Sequence, residues 1–133
     1  MNEPSVFTKI IGGDIPSYKI YEDSKTLAFL DINPVAEGHV LVVPKTQVEF
    51  VWDLTDEDYQ ALMATVKKVA VRLRTVIAKP FVGEMVVGTD VPHAHVHIIA
   101  FTKVTEMKRV LGEPGAPADA ASLRAVAEKL YFL

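Results

Sequence analysis

A chain of 133 residues with a net charge of −3 has the length of one domain and no field that would draw it to nucleic acid polymers or anionic membranes. Half of its residues are hydrophobic and 23% are charged, the balance of a soluble globular protein, and no apolar run approaches the roughly 18 residues of a membrane span. Cysteine is absent, which excludes disulfides and thiolate metal sites; the opening MNEPSVFTKI lacks the marks of a signal peptide, so the expected location is cytoplasmic.

In chain order, FTKIIGGDIPS predicts a short helix over 7–11, stopped by Gly12 and Gly13, with Pro16 barring continuation. YKIYED suits a strand. KTLAFLDI suits a second, with Leu27 and Phe29 on one face and Ala28 and Leu30 on the other. The short polar link Glu22, Asp23 and Ser24 reads as their hairpin loop. NPVAEG is turn chemistry, and HVLVVP is a β-branched run closed by Pro44. Thr55 then offers an N-cap, and Asp56, Glu57 and Asp58 put negative charge in a first helical turn. Tyr59, Leu62, Met63, Val66, Val69, Ala70, Leu73, Val76 and Ile77 follow at spacings of three and four. They predict one long helix, ended before Pro80, with a stripe for the core. FVGEMVVG and HAHVHIIAF read as two more strands joined by residues 88–92. In the tail, 102–133, the pattern weakens after Lys103; GEPGAPAD (112–119) reads as a turn-rich linker. A helix is predicted over 119–131, with Leu123, Val126 and Leu130 on one side. The sum is a single α+β domain over 1–133 with a mainly antiparallel five-stranded sheet.

Three of the four histidines, His93, His95 and His97, alternate with Ala94, Val96 and Ile98. A strand period of two sends the imidazoles to one face and the apolar residues to the other, toward the long helix. Two chemistries use such a row. Neutral imidazole is a common zinc ligand, but on one strand His93 and His97 stand about 13 Å apart, so three ligands converge with difficulty. Alternatively, an imidazole nitrogen attacks a phosphoryl centre and forms a covalent intermediate that water resolves, while its neighbours bind phosphate oxygens or hold the tautomer.

VPHAHVHIIAF resembles the signature His-φ-His-φ-His-φ-φ (φ apolar) of the histidine triad (HIT) family of nucleotide hydrolases and transferases. FTKIIGGDIPSYKIYEDSKTLAFLDINPVAEGHVLVVPK is similar to the family's N-terminal half, so the likeness runs over residues 6–101 in order and spacing. It implies an α+β, HIT-like fold that pairs its sheet across a homodimer. It implies His95 as the nucleophile, with His93 and His97 orienting it and contacting phosphate, and His39 reaching the same phosphate region. Asp31 corresponds to the acid that binds the ribose hydroxyls. Val6, Phe7, Ile10, Phe29, Ile32 and Leu41 correspond to the positions that enclose a purine base.

Three departures stand out. Many members carry a CxxC-like pair that forms half of a structural zinc site; here the positions are Ser5 and Thr8, so that site is expected to be absent. Gln47 stands where the family block often has a histidine. The loop before the triad is only GTDVP, leaving Thr89 as a side-chain donor and Asp90 to repel a polyphosphate. Losing one preorganised donor can cost roughly 3–4 kcal/mol of barrier. The expectation is a hydrolase or transferase for a nucleoside phosphoramidate or related nucleotidyl compound. It would bind an AMP-like ligand and pass through a nucleotidyl-histidine, with neither metal nor cofactor. A nucleotide-binding module with little turnover and a His-rich metal-binding protein are the alternatives.

Overall fold

In the computed structural model of the chain, which describes residues 3–112 and 117–133, the first element is a short helix, α1 (Val6–Ile11). The Ser5 side chain accepts from the Thr8 N–H and satisfies one orphan donor of the helix start. Strands β1 (Lys19–Glu22) and β2 (Thr26–Leu30) follow as an antiparallel pair. Asp23 holds their connection, its carboxylate accepting from the N–H groups of Lys25 and Thr26. After β3 (Val40–Pro44) comes the long helix α2 (Asp56–Val76), then β4 (Phe81–Met85) and β5 (Val96–Phe101). The five strands form one antiparallel sheet in the order β1-β2-β3-β5-β4.

Thr55 caps α2 by accepting from the Asp58 N–H, and the acidic first turn faces the positive end of the helix dipole. Leu62, Val66, Val69 and Leu73 recur at helical spacing and are buried in one cluster with Ala28, Val42, Val96 and Ile98. Each such side chain contributes about 1.5–3 kcal/mol on burial. The strand period sends Leu27, Phe29, Leu41 and Val43 to the opposite face, where Phe7 of α1 joins them. The sheet is thus covered by α2 on one face and by α1 on the other. His97, within β5, alternates with Val96 and Ile98 of the α2 cluster and so belongs to the α1 face.

Two features differ from the sequence expectation. The triad is not one strand: β5 begins at Val96, so His93 and His95 lie in irregular chain. Ala94 N–H donates to the carbonyl of Val48, outside the sheet, and this bond takes the chain off a strand path. The tail also contains an unforeseen helix, α3 (Val104–Lys108), continued by a 3-10 turn, Arg109–Leu111. Buried Met107 anchors it, and a Cβ on Gly83 of β4 would lie 3.0 Å from Met107 Cε. The last helix, α4 (Ala120–Leu130), buries Leu123, Ala127 and Leu130, with Val126 partly buried. Residues 113–116 of the predicted linker lie outside the described residues. No helix among the described residues is long and apolar enough to cross a membrane.

Candidate active site

The end of β2 and the start of β3 deliver Asp31 and His39 side by side, the Asp31 N–H donating to the His39 carbonyl at 2.9 Å. Gly38 makes the approach possible. Its φ of +81° is in the left-handed region, and a Cβ there would meet Leu73 Cδ2 at 3.1 Å. His97 pairs with Leu41 of β3 and Met85 of β4, so its ring is set by the ladder from both sides. All four histidines are buried, none more than 5% exposed.

Hydrogen-bond partners assign the ring tautomers. Val35 N–H donates to His39 Nδ1 at 3.2 Å, so His39 carries its proton on Nε2. That Nε2–H donates to His97 Nδ1 at 3.0 Å, which leaves the His97 proton on Nε2. His97 Nε2 is buried and has no protein partner, the one such side-chain atom among the described residues. A buried N–H without an acceptor is costly, and here it marks the place where a ligand oxygen is wanted. His95 is set in the opposite sense. Its Nδ1–H donates to the His93 carbonyl at 2.7 Å, so the lone pair is on Nε2. His93 donates from Nε2 to the Pro44 carbonyl at 2.8 Å and accepts from the Ser5 hydroxyl on Nδ1 at 2.7 Å.

Burial lowers the pKa of His39 to about 4 and does the same to His97, where neighbouring His39 and His95 add to the effect. Both rings are therefore neutral at neutral pH. Burial also lowers His93, against its bond to Pro44. Asp31 is pushed up by burial, opposed by the Asn33 N–H 2.8 Å from its Oδ1. The ligand atoms of Asp31, His39 and His97 all lie within 4.8 Å of one another, a spacing a metal could use. The hydrogen bonds argue against it. His39 Nε2 could bind a cation only by moving its proton to Nδ1, where it would face the Val35 N–H donor to donor.

A cleft of about 520 Å³ opens over this group, within the usual range for small-ligand sites. Phe7, Asp31, His39, Leu41, Thr89 and His97, all named from sequence, line it. His95 lies next to two of them, its ring centroid 5.2 Å from that of Phe7 and 5.1 Å from that of His97. Phe29 supports Phe7 edge-on at 5.5 Å, and Ile10 packs against the same cluster. The structure does not bring Val6 or Ile32 into the lining: they are 41% and 52% exposed. Ile32 follows the end of β2 in the turn that Asp31 and Asn33 close, so no ladder turns it inward. Arg109 lines the cleft and was missed, because α3 and its 3-10 turn are too short to show a period. A second cleft of about 490 Å³, beside α4, is lined by residues such as Tyr18, Lys19 and Arg124, but it holds no imidazole.

A buried row of imidazoles entering an inner strand of a five-stranded antiparallel sheet defines a class, the histidine triad proteins. The chain belongs to that family: the HIT domain matches residues 12–104. It is 43% identical over 102 residues to the protein hit of Bacillus subtilis, covering 73% of this chain and 70% of that one. It is 32% identical over 126 residues to an adenosine 5'-monophosphoramidase of Schizosaccharomyces pombe, covering 94% of each. A solved Hit-like protein of Bartonella henselae is similar with a TM-score of 0.85 and 28% identity, covering 97% of this chain and 95% of that chain.

Proposed function

We propose that the chain hydrolyses a nucleoside 5'-phosphoramidate, or a related nucleotidyl compound, by way of a nucleotidyl-His95 intermediate. The observation that carries the reading is the opposed protonation of neighbouring rings: a lone pair on His95 Nε2 and a buried, unpaired N–H on His97 Nε2. One is what a nucleophile needs and the other is what a phosphate oxygen needs. The similarity to an adenosine 5'-monophosphoramidase supports this choice of substrate.

In the first step His95 Nε2 forms a bond to the α-phosphorus and the bond to the leaving amine breaks, the amine taking a proton from solvent as it departs. The ring gains positive charge, which the His93 carbonyl stabilises through Nδ1–H. His97 Nε2–H donates to a non-bridging oxygen, and the His39 Nε2–H behind it supports His97 as the donor. Arg109 supplies positive charge at the cleft, in partial place of the donors a longer loop before the triad would bring. Asp31 binds the ribose hydroxyls, and Phe7 and Leu41 pack against the base. In the second step a water oxygen bonds to phosphorus, its proton passing to solvent, the N–P bond breaks, and its electron pair returns to Nε2 as AMP leaves.

β4 is an edge strand, with Phe81 55% exposed, and its pairing with a second copy across a twofold axis would cover that edge. Light scattering at micromolar protein should give the mass of a dimer; a monomeric mass contradicts this part. The catalytic proposal is tested by incubating the purified chain with adenosine 5'-phosphoramidate. Release of ammonia and AMP that survives chelators is expected. Tight AMP binding without release would favour a binding module, and loss in EDTA with recovery in zinc would favour metal chemistry.

A further inference from the structure

Because β5 begins only at Val96, no ladder holds the backbone of His93 and His95. What holds it is a set of side chains and backbone carbonyls from the chain's start, from the end of β3 and from the segment after it. Ser5 N–H donates to Gln47 Oε1 at 2.8 Å, and the Thr8 hydroxyl donates to the same oxygen at 2.6 Å. Gln47 Nε2 donates to the Glu3 carbonyl at 2.9 Å, which fixes the orientation of its amide. Ser5 Oγ accepts from the Thr8 N–H at 3.0 Å. Its own proton goes to His93 Nδ1 at 2.7 Å, which must accept because Nε2 donates to Pro44, over the more distant Thr8 Oγ1 at 3.2 Å. Thr8 Oγ1 stands 3.4 Å from that nitrogen, its proton already committed to Gln47. The other nitrogen of His93 is tied to Pro44, and the next residue, Ala94, is tied by its N–H to Val48 at 2.7 Å. Ser5, Thr8 and Gln47 are positions at which the sequence departs from its family, and they form one network: Ser5 and Thr8 stand against the His93 ring, and Gln47 ties the two together from behind.

We propose that Ser5, oriented by Thr8 and Gln47, is a positioning residue: by donating to His93 it fixes that ring with its proton toward Pro44, and so aims the His93 carbonyl at His95 Nδ1. The consequence is a single His95 tautomer, with Nε2 unprotonated and free to attack. The proposal rests on His95 being the nucleophile, but its geometric content does not depend on turnover. A carboxylate at position 5 separates the two roles of Ser5. Asp is as good an N-cap as Ser, so α1 keeps its start. It has no hydroxyl proton to give, so it demands one from His93 Nδ1, and His93 becomes an imidazolium beside the charge that develops on His95.

The experiment is 1H–15N correlation of the imidazole nitrogens in the wild type, S5D, S5A and S5T, with phosphoramidate kinetics on the same samples. In the wild type, His93 should be protonated on Nε2 alone and His95 on Nδ1 alone. S5D should show His93 protonated on both nitrogens at neutral pH. Its kcat should fall by about tenfold or more, the scale on which outer partners of an active group act, with KM nearly unchanged. S5A should populate both His95 tautomers, and S5T, which keeps a hydroxyl, should restore the wild-type spectrum and rate. A wild-type His95 protonated on Nε2 overturns the proposal, as does an S5D protein whose rings and kcat match the wild type. If the wild type turns over no phosphoramidate, the functional reading fails while the wild-type and S5D spectra still decide this one.

Discussion

The two ends of the histidine row are built to opposite rules. At the His93 end every ring nitrogen is paired, Ser5 and Pro44 take the two sides, and α1 and the chain after β3 close over it. At the His97 end the donors run in one direction, from Val35 through His39 to His97, and stop at an N–H with no acceptor among the described residues, beside a cleft. On the proposed reading, the satisfied end holds position and the unsatisfied end takes the ligand. His95 lies between, its Nδ1 committed to the closed end and its ring beside His97 of the open one.

That contrast is easiest to break at its open end. His97→Ala removes the unpaired donor and should cost kcat about 10²–10³-fold, the usual loss for one preorganised donor to a developing oxyanion. His97→Gln can still accept from His39 and donate forward, and it should recover part of that loss. Steady-state kinetics on both variants reads the difference. If alanine and glutamine behave alike, the direction of the donor chain carries no catalytic weight.

Acid should act through the same end. The folded pKa values of His39 and His97, about 4, lie below the unfolded value near 6.5. Between these pH values the unfolded chain therefore binds more protons than the folded one. Stability is full above about pH 6.5 and is lost as pH falls toward 4, by a few kcal/mol over the window. Asp31 opposes this in part, since its raised carboxyl takes up its proton earlier when folded. Urea unfolding at a series of pH values should show the slope, and an H39Q/H97Q double variant should flatten it.

Smaller effects sharpen the picture of the ligand. Asp31→Ala should weaken AMP binding by about 1.5–3 kcal/mol, the range for hydrogen bonds to a charged group, and calorimetry measures it. Arg109→Ala should cost less, about 1 kcal/mol or below, because Arg109 is exposed and screened, and its share should shrink as salt rises. An Arg109 variant whose AMP affinity matches the wild type at low salt removes that residue from the phosphate site.

The same contrast marks what could be read in advance. The α2 stripe and the two sheet faces were legible, because a period of 3.6 or 2 is written locally in Leu62–Val66–Val69–Leu73 and in Leu27–Ala28–Phe29–Leu30. Asp31, His39 and His97 were legible by resemblance and do converge. The path of His93 and His95 was not, since alternation of His with Ala and Val reads as strand, and only the distant Val48 carbonyl shows otherwise. Ser5, Thr8 and Gln47 are departures visible in the sequence, but the network by which they reach His93 joins residues 39 to 88 apart, beyond any local pattern. Arg109 depends on Met107 anchoring a helix of five residues, again a tertiary contact.

The central claim is that His95 Nε2 takes the nucleotidyl group. Wild type and H95N are mixed with adenosine 5'-phosphoramidate and quenched in alkali within the first turnover, and the protein is digested and weighed by mass spectrometry. An AMP adduct on His95 in the wild type, and none in an H95N protein that still binds AMP within about tenfold (about 1.4 kcal/mol), is the predicted result. Turnover by H95N at the wild-type rate, or an adduct on another residue, would contradict it.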